Sequence, residues 1–382
     1  MRLLFLIGSG ASLDAELPSV GTITHHVRSG AGVFLGDDAR FYLDPENPNF
    51  GRLRPEAEPV IAFVGRLAER ASAYYDSVFG PGHEIDYEEL AFLSAQVERA
   101  LSQTQENPAV FDFARELAES VDGGLPAVHG IALNAYNYIR DVTRVLLDRP
   151  LPRTDHLLAI VDACRASDQV ELFTLNHDLV LETALERAGV AFSDGFERVY
   201  GDLRVWSDSF NNGNVRLLKL HGSLSWWGFW LPGEDWRGPV TARVTNGDAL
   251  HARGEDGRML GVPHDLRPLF LVGTFDKIFG YETWIFPDQH FRFQESLRSA
   301  DRLVVVGYGF RDQAINSRLI GWMSRSQDNR MIVVHGDPEQ IPERARTAIG
   351  HRHWANWLSE GRLRIVRSWI ADTSWNDVAS EL

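Results

Sequence analysis

Five short segments of this 382-residue sequence place small, polar or ionisable residues directly after apolar runs. The first is Gly8-Ser9-Gly10-Ala11-Ser12. Such a turn lets the backbone approach a phosphate closely, and a helix behind it would offer N–H groups. It is not the dinucleotide fingerprint, which needs glycine where Leu13 stands, nor the Walker loop, which needs Gly-Lys-Ser/Thr. A phosphate site and a plain strand-to-helix turn both remain open for it. The second segment is Thr174-Leu175-Asn176-His177-Asp178. Asn176 can donate and accept while Asp178 only accepts, a pair able to hold a ribose hydroxyl and a carboxamide. Asp178 also suits the cap of a following helix. The third is His221-Gly222-Ser223, followed by Trp226-Trp227. A lone histidine at a strand end is commonly structural, yet a pKa near ~6.5 makes it the natural base at neutral pH. The fourth is Gly307-Tyr308-Gly309-Phe310-Arg311-Asp312, with Asn316 one turn inside the next helix, and the fifth is His335-Gly336-Asp337-Pro338. Turn chemistry explains each one alone. Together they point to a shared site, because open α/β sheets bind ligands beyond the carboxyl ends of their strands.

The apolar runs that must position these segments are 3–7, 170–174, 217–220, 269–272, 303–306, 331–334 and 363–366. The unbroken apolar run at 3–7 suits a strand covered on both faces, and the others read as strands. Helical patterns at 179–188, 282–299 and 313–324 separate several of them. The alternation predicts an α/β fold with a doubly wound, mostly parallel, Rossmann-like sheet. Residues 34–54, rich in Asp, Pro, Asn and Gly, read as a loop, and 233–261 as an excursion at the sheet's edge. From about 56 to 149 only helical patterns occur. Leu90, Leu93, Val97 and Leu101 share one face, and Val128, Ile131, Ala135, Tyr138, Val142 and Val145 alternate three- and four-residue steps. The expected organisation is an α/β domain of residues 1–30 plus 150–382, with a helical insertion and assembly domain at 31–149.

Composition excludes several classes. A single cysteine, Cys164, leaves neither a disulfide scaffold nor a multi-cysteine zinc ribbon. Lys+Arg 38 against Asp+Glu 53 gives net −15, which argues against a broad nucleic-acid-binding face. No run approaches the ~18 apolar residues of a membrane span. The opening MRLLFLIGSGAS breaks into Gly-Ser-Gly instead of a cleavage site, so a buried first strand and a cytoplasmic location are expected.

Read in order, GSGAS with Leu17-Pro18 behind it, TLNHD, LHGS and VVVGYGFRD resemble the sirtuin-like NAD-consuming family, above all its bacterial anti-phage defence branch. The resemblance spans the α/β portion and leaves out 30–150. It implies that Gly8, Gly10, Ala11 and Ser12 wrap the NAD diphosphate, and that Asn176 contacts the nicotinamide-side ribose. Asp178 would lie near the carboxamide, and His221 would be the catalytic histidine. Gly307, Tyr308 and Gly309 would sit near the adenine-side ribose, with Asp312 and Asn316 as polar positions of the cofactor site. Three departures matter. His177 stands where the defence branch has tyrosine, the Pro-Asp-Phe-Arg segment of deacylases is replaced by Ser19-Val20-Gly21-Thr22, and the cysteines of the deacylase zinc ribbon are missing. The reading that follows is an NAD glycohydrolase giving nicotinamide and ADP-ribose, catalysed by Asn176 and His221, with NAD as substrate and no zinc or other cofactor. The family further implies a homo-oligomer that depletes NAD in defence, with a HerA-type hexameric ATPase as partner. The alternatives are an NAD- or ADP-ribose-binding regulatory subunit, a DNA-processing subunit and an NAD-dependent deacylase.

Overall fold

The computed structural model describes residues 2–43, 57–81, 85–102, 108–119, 121–211, 213–234, 236, 238–245, 248–273, 281 and 283–382. Two compact units emerge: Met1–Leu17 with Pro150–Leu271 and Ile278–Leu382, and Pro18–Arg149 with Val272–Lys277.

The strands in chain order are β1 (Arg2–Ile7), β2 (Phe34–Leu35), β3 (Phe41–Tyr42), β4 (Gln169–Thr174), β5 (Phe192–Ser193), β6 (Arg198–Tyr200) and β7 (Leu203–Val205). They continue with β8 (Val215–Lys219), β9 (Trp226–Phe229), β10 (Val240–Val244), β11 (Arg302–Val306), β12 (Arg330–Val334) and β13 (Leu363–Val366). The first unit is built on a seven-stranded sheet of order β13-β12-β11-β1-β4-β8-β5, in which every neighbouring pair is parallel. Leu3 to Ile7 are buried on both faces, as an unbroken apolar run requires of a central parallel strand. Helices Val180–Arg187, Phe286–Ser299 and Gln313–Arg325 follow the expected patterns. One core cluster joins Leu4, Leu6, Phe173, Phe293, Val305, Leu319 and Trp322 across sheet and helices. Glu282, where the second helix was expected to begin, lies outside the described residues.

Two expectations need correction. Residues 269–272 form no sheet strand. Phe270 meets Gly222 in an isolated antiparallel bridge, Ser223 N–H donates to Leu269 O at 3.0 Å, and Leu271 N–H donates to His221 O at 2.8 Å. The run is apolar because Leu269 packs with Phe196, Trp226, Ile285 and Phe286, and its backbone clamps the turn that carries His221. Residues 198–244 hold a second, antiparallel sheet of order β6-β7-β10-β9 around Leu203, Val205, Phe229 and Ala242. Its strands are three to five residues long, so their alternation was too brief to read. The excursion expected at 233–261 thus contributes β10. Its positions 235, 237, 246 and 247 lie outside the described residues.

The second unit holds helices Val20–Ser29, Ala57–Phe79, Tyr87–Leu101, Pro108–Ala118 and Gly124–Leu147, with β2 and β3 as a short antiparallel ladder. That ladder falls in the expected loop, of which 44–54 is not described. Val128, Ala135, Tyr138 and Val142 are buried along the longest helix, while Ile131 and Val145 are half-buried. Two of its buried polar side chains are matched: Tyr138 O–H donates to Val27 O at 2.8 Å, and the Asp141 carboxylate accepts from Phe41 N–H at 3.0 Å. Asp86 and Glu89 close a reciprocal capping box before Tyr87–Leu101. Among the described residues no helix is long and apolar enough to cross a membrane.

Candidate active site

The sheet grows outward from β1 in both directions, toward β4 on one side and β11 on the other. The turns after β1 and β11 therefore meet at a topological switch point. Gly8 N–H donates to Val306 O and Gly10 N–H to Gly307 O, both at 2.9 Å. The glycines are required by this approach: a Cβ on Gly8 would lie 2.7 Å from Gly307 O. One on Gly307, whose φ is +63°, would lie 2.3 Å from Ala11 N. Left-handed backbone costs a Cβ-bearing residue ~1–2 kcal/mol, and overpacking adds ~1–3 kcal/mol. Gly307→Ala is thus expected to destabilise the protein by roughly 3 kcal/mol. Gly309→Ala, with no heavy atom within 4 Å of its Cβ, should unfold in urea like the wild type.

Behind Gly8 the chain winds into a 3₁₀ turn, Ser9–Ala15, rather than a full helix. Its inner side receives Asn176 from the turn after β4. The Asn176 amide donates to Gly8 O at 3.1 Å and to Ser12 Oγ at 2.9 Å. Asn176 Oδ1 is buried and accepts no hydrogen bond from the described residues. An unsatisfied buried acceptor costs ~1–3 kcal/mol, so it asks for a functional explanation. Asp178 Oδ1 caps the next helix by accepting from Val180 N–H at 3.0 Å, and its carboxylate also engages Ser12. Burial raises the Asp178 carboxyl above the ordinary aspartate range, against the pull of Lys219 and these hydrogen bonds. Lys219, at the end of β8, is buried with Glu182 at 2.8 Å and donates to Asp178 O, tying the β4 turn to the neighbouring strand.

His221 follows β8, the neighbour of β4, so sheet order alone sets it beside the Asn176 turn. Its Nε2 lies 3.1 Å from Asp312 Oδ2 and 3.2 Å from Tyr281 Oη, and Tyr281 O–H donates to the same Asp312 oxygen at 3.3 Å. The His177 ring stands 6.4 Å from that of His221 and 4.8 Å from Phe270. Tyr281 in turn packs on His290 with ring centroids 3.7 Å apart, and Arg318 lies over its face at 5.7 Å. His290 Nε2 meets Leu220 O at 3.1 Å. Burial, then Arg318, pushes the His290 pKa down to about 3. A histidine kept neutral in the fold but titrating near ~6.5 when unfolded binds more protons unfolded between those values. Stability should be intact above pH ~6.5 and fall steadily toward pH 3, by a few kcal/mol in all. Urea midpoints at pH 7.5 and 5 should show a fall in the wild type and a smaller one in His290→Asn.

The structure brings together Gly8, Gly10, Ala11, Ser12, Asn176, Asp178 and Gly307, and separately joins His221 to Asp312. Tyr308 and Asn316 serve each other: Tyr308 O–H donates to Asn316 Oδ1 at 2.9 Å, and the Asn316 amide donates to Phe310 O and Arg346 O. Asn316 is fully buried, so both its polar ends brace the β11 turn. The fifth turn closes on itself through Asp337 N–H to His335 Nδ1. Tyr281, His290 and Lys219 were not singled out from sequence. Lys219 alone carried a signal, a charge inside the apolar run leading to His221. Cys164 is buried with its thiol pushed up to about 12, which makes it a poor nucleophile. Among the described residues no three His, Cys, Asp or Glu side chains converge on a metal position.

Parallel strands, glycine turns at the switch point, and an asparagine and a histidine on adjoining strand ends define a doubly wound α/β unit with its polar groups at the carboxyl edge. Residues 170–357 match the SIR2-like domain. Among solved structures, a Sir2 homologue mutant bound to ADP-ribose is similar at 13% identity and TM-score 0.39, covering 100% of this chain and 91% of that one. A Sir2 homologue–NAD complex is similar at 13% identity and TM-score 0.38, covering 100% and 89%. A structure described as the structural basis of sirtuin substrate affinity is similar at 11% identity and TM-score 0.34, covering 87% of this chain and 82% of that one. No curated protein matches the sequence.

Proposed function

We propose that the protein cleaves the nicotinamide–ribose bond of NAD, releasing nicotinamide and ADP-ribose. The observation that carries this reading is Asn176, whose amide nitrogen is anchored to Gly8 and Ser12 while its buried Oδ1 has no partner among the described residues. An acceptor held that rigidly beside a glycine turn suits a ribose hydroxyl or the attacking water. The SIR2-like match over 170–357, which contains Asn176 and His221, supports the same substrate.

Nicotinamide leaves as a neutral molecule, so the leaving group needs no general acid, and the sugar passes through an oxocarbenium-like state. The protein's work is to fix the ribose and present water. Gly8, Gly10, Ala11 and Ser12 would anchor the diphosphate, with Asp178 near the carboxamide and Gly307, Tyr308 and Gly309 near the adenine-side ribose. Asn176 orients, and His221 accepts a proton from the hydroxyl or water. Purified protein with NAD, read by mass spectrometry, should yield nicotinamide plus ADP-ribose, and His221→Ala should lower turnover by about 10²–10⁴-fold. Nicotinamide formed only with an acylated peptide, together with an acylated ADP-ribose, would assign the deacylase reading instead. Tight NAD binding with no product in any context would assign a binding subunit.

The wider role proposed is NAD depletion in anti-phage defence by a cytoplasmic homo-oligomer working with a HerA-type ATPase. The helical unit would serve assembly, and its exposed Tyr74, Val78, Phe111 and Leu133 support that use. Light scattering of the purified protein, alone and with the ATPase, tests it.

A further inference from the structure

We infer that Asp312 is the positioning residue of His221, with Tyr281 as the third member of the cluster, rather than a residue that binds the nucleotide. The inference rests on the NAD-cleavage reading for its consequence but on geometry for its substance. Asp312 Oδ2 faces both His221 Nε2 at 3.1 Å and Tyr281 Oη at 3.3 Å, and those two groups are 3.2 Å apart. A carboxylate only accepts, so it takes Nε2–H and the tyrosine O–H together. This fixes the His221 tautomer with its proton on Nε2 and its lone pair on Nδ1. Asp312 is itself held, because its other oxygen caps the helix Gln313–Arg325 by accepting from Ile315 N–H at 2.9 Å. Tyr281 is held by the His290 ring and by Arg318.

The proton balance then closes. Water oxygen bonds to the anomeric carbon as the carbon–nitrogen bond to nicotinamide breaks, its electron pair returning to the ring nitrogen. His221 Nδ1 takes the water's proton, and the imidazolium so formed faces the Asp312 carboxylate. A base oriented by a third group is the general arrangement for activating a weak nucleophile.

Among the described residues, the charged and titratable groups around His221 include Asp312 and Arg318 on one helix, His290 on another, Tyr281, and His177 after β4. Asp312→Asn keeps the helix cap, since asparagine caps as well as aspartate. It should lower kcat for NAD about 100-fold with KM changed less than about 3-fold. The acid limb of the kcat profile should move to lower pH, because the imidazolium loses its counter-charge. Tyr281→Phe keeps the ring packing and should cost roughly 10-fold in kcat. A raised KM with unchanged kcat and pH profile would overturn the inference and return Asp312 to nucleotide binding. A second readout is independent of turnover: the His221 ring pKa, followed by NMR and assigned by loss of its signal in His221→Gln. It should drop in Asp312→Asn, and an unchanged value overturns the inference even if the wild type proves not to cleave NAD. Failure of NAD cleavage with a shifted ring pKa would instead remove only the proposed reaction.

Discussion

Asn176→Ala is expected to lower NAD turnover by about a thousandfold or more while the protein stays folded. The two hydrogen bonds lost, to Gly8 O and Ser12 Oγ, contribute ~1 kcal/mol each to stability. Catalytically the loss is larger, because correct placement of reactants can account for ~7–11 kcal/mol of a barrier. Asn176 lies on a turn with its amide nitrogen held by two hydrogen bonds, so a ribose or water bound on Oδ1 would inherit that placement. The fall should appear in kcat rather than KM, the mark of an interaction made mainly in the transition state. Steady-state rates with urea midpoints on the same samples decide the matter. More than a tenth of wild-type turnover in Asn176→Ala would move the chemistry away from the β4 turn.

Lys219→Met should produce the largest loss of stability. Lys219 and Glu182 are nearly inaccessible and 2.8 Å apart, and breaking a buried pair leaves one charge without compensation, at about 3–5 kcal/mol. The melting temperature should fall by roughly 5–10 °C. Glu182→Leu combined with Lys219→Met should recover most of that loss, since the pair is then replaced and not broken. Turnover should recover less than stability does. Lys219 also donates to Asp178 O, and the double variant cannot restore that tie to the turn bearing Asn176. Thermal unfolding and NAD turnover of the two variants separate the effects.

The inner strands of the parallel sheet were readable because they are buried on both faces, whereas the two-residue edge strand β5 was not anticipated. 3–7, 303–306 and 331–334 each lie within their observed strands, and the terminal 363–366 coincides with β13. The run at 269–272 is equally apolar, but its burial comes from packing on Phe196 and Trp226, which no periodicity separates from strand burial. The turns after β1, β4 and β8 were legible as polar interruptions, and sheet order then set them side by side. What no local pattern could give is the company each residue keeps. Asp312 and Asn316 sit four positions apart in one helix start, yet one faces His221 and the other braces its own turn. Tyr281 stands in no motif, and only the fold brings it to His221.

The central position of β1 carries a consequence for biosynthesis. Leu4 pairs with Leu303 on one side and with Glu171 on the other, so β1 must wait for the chain to reach β11 before its sheet can close. Pairings this distant in sequence fold slowly and leave apolar edges uncovered meanwhile. The same wait applies to the polar cluster, which needs the Gly8 turn, His221 and Asp312 at once. A ribosome-bound chain halted before β11 therefore lacks the β11-β12-β13 side of its sheet and the partner of its histidine. On the proposed reaction, NAD cleavage would begin only once the chain beyond Asp312 has emerged and paired.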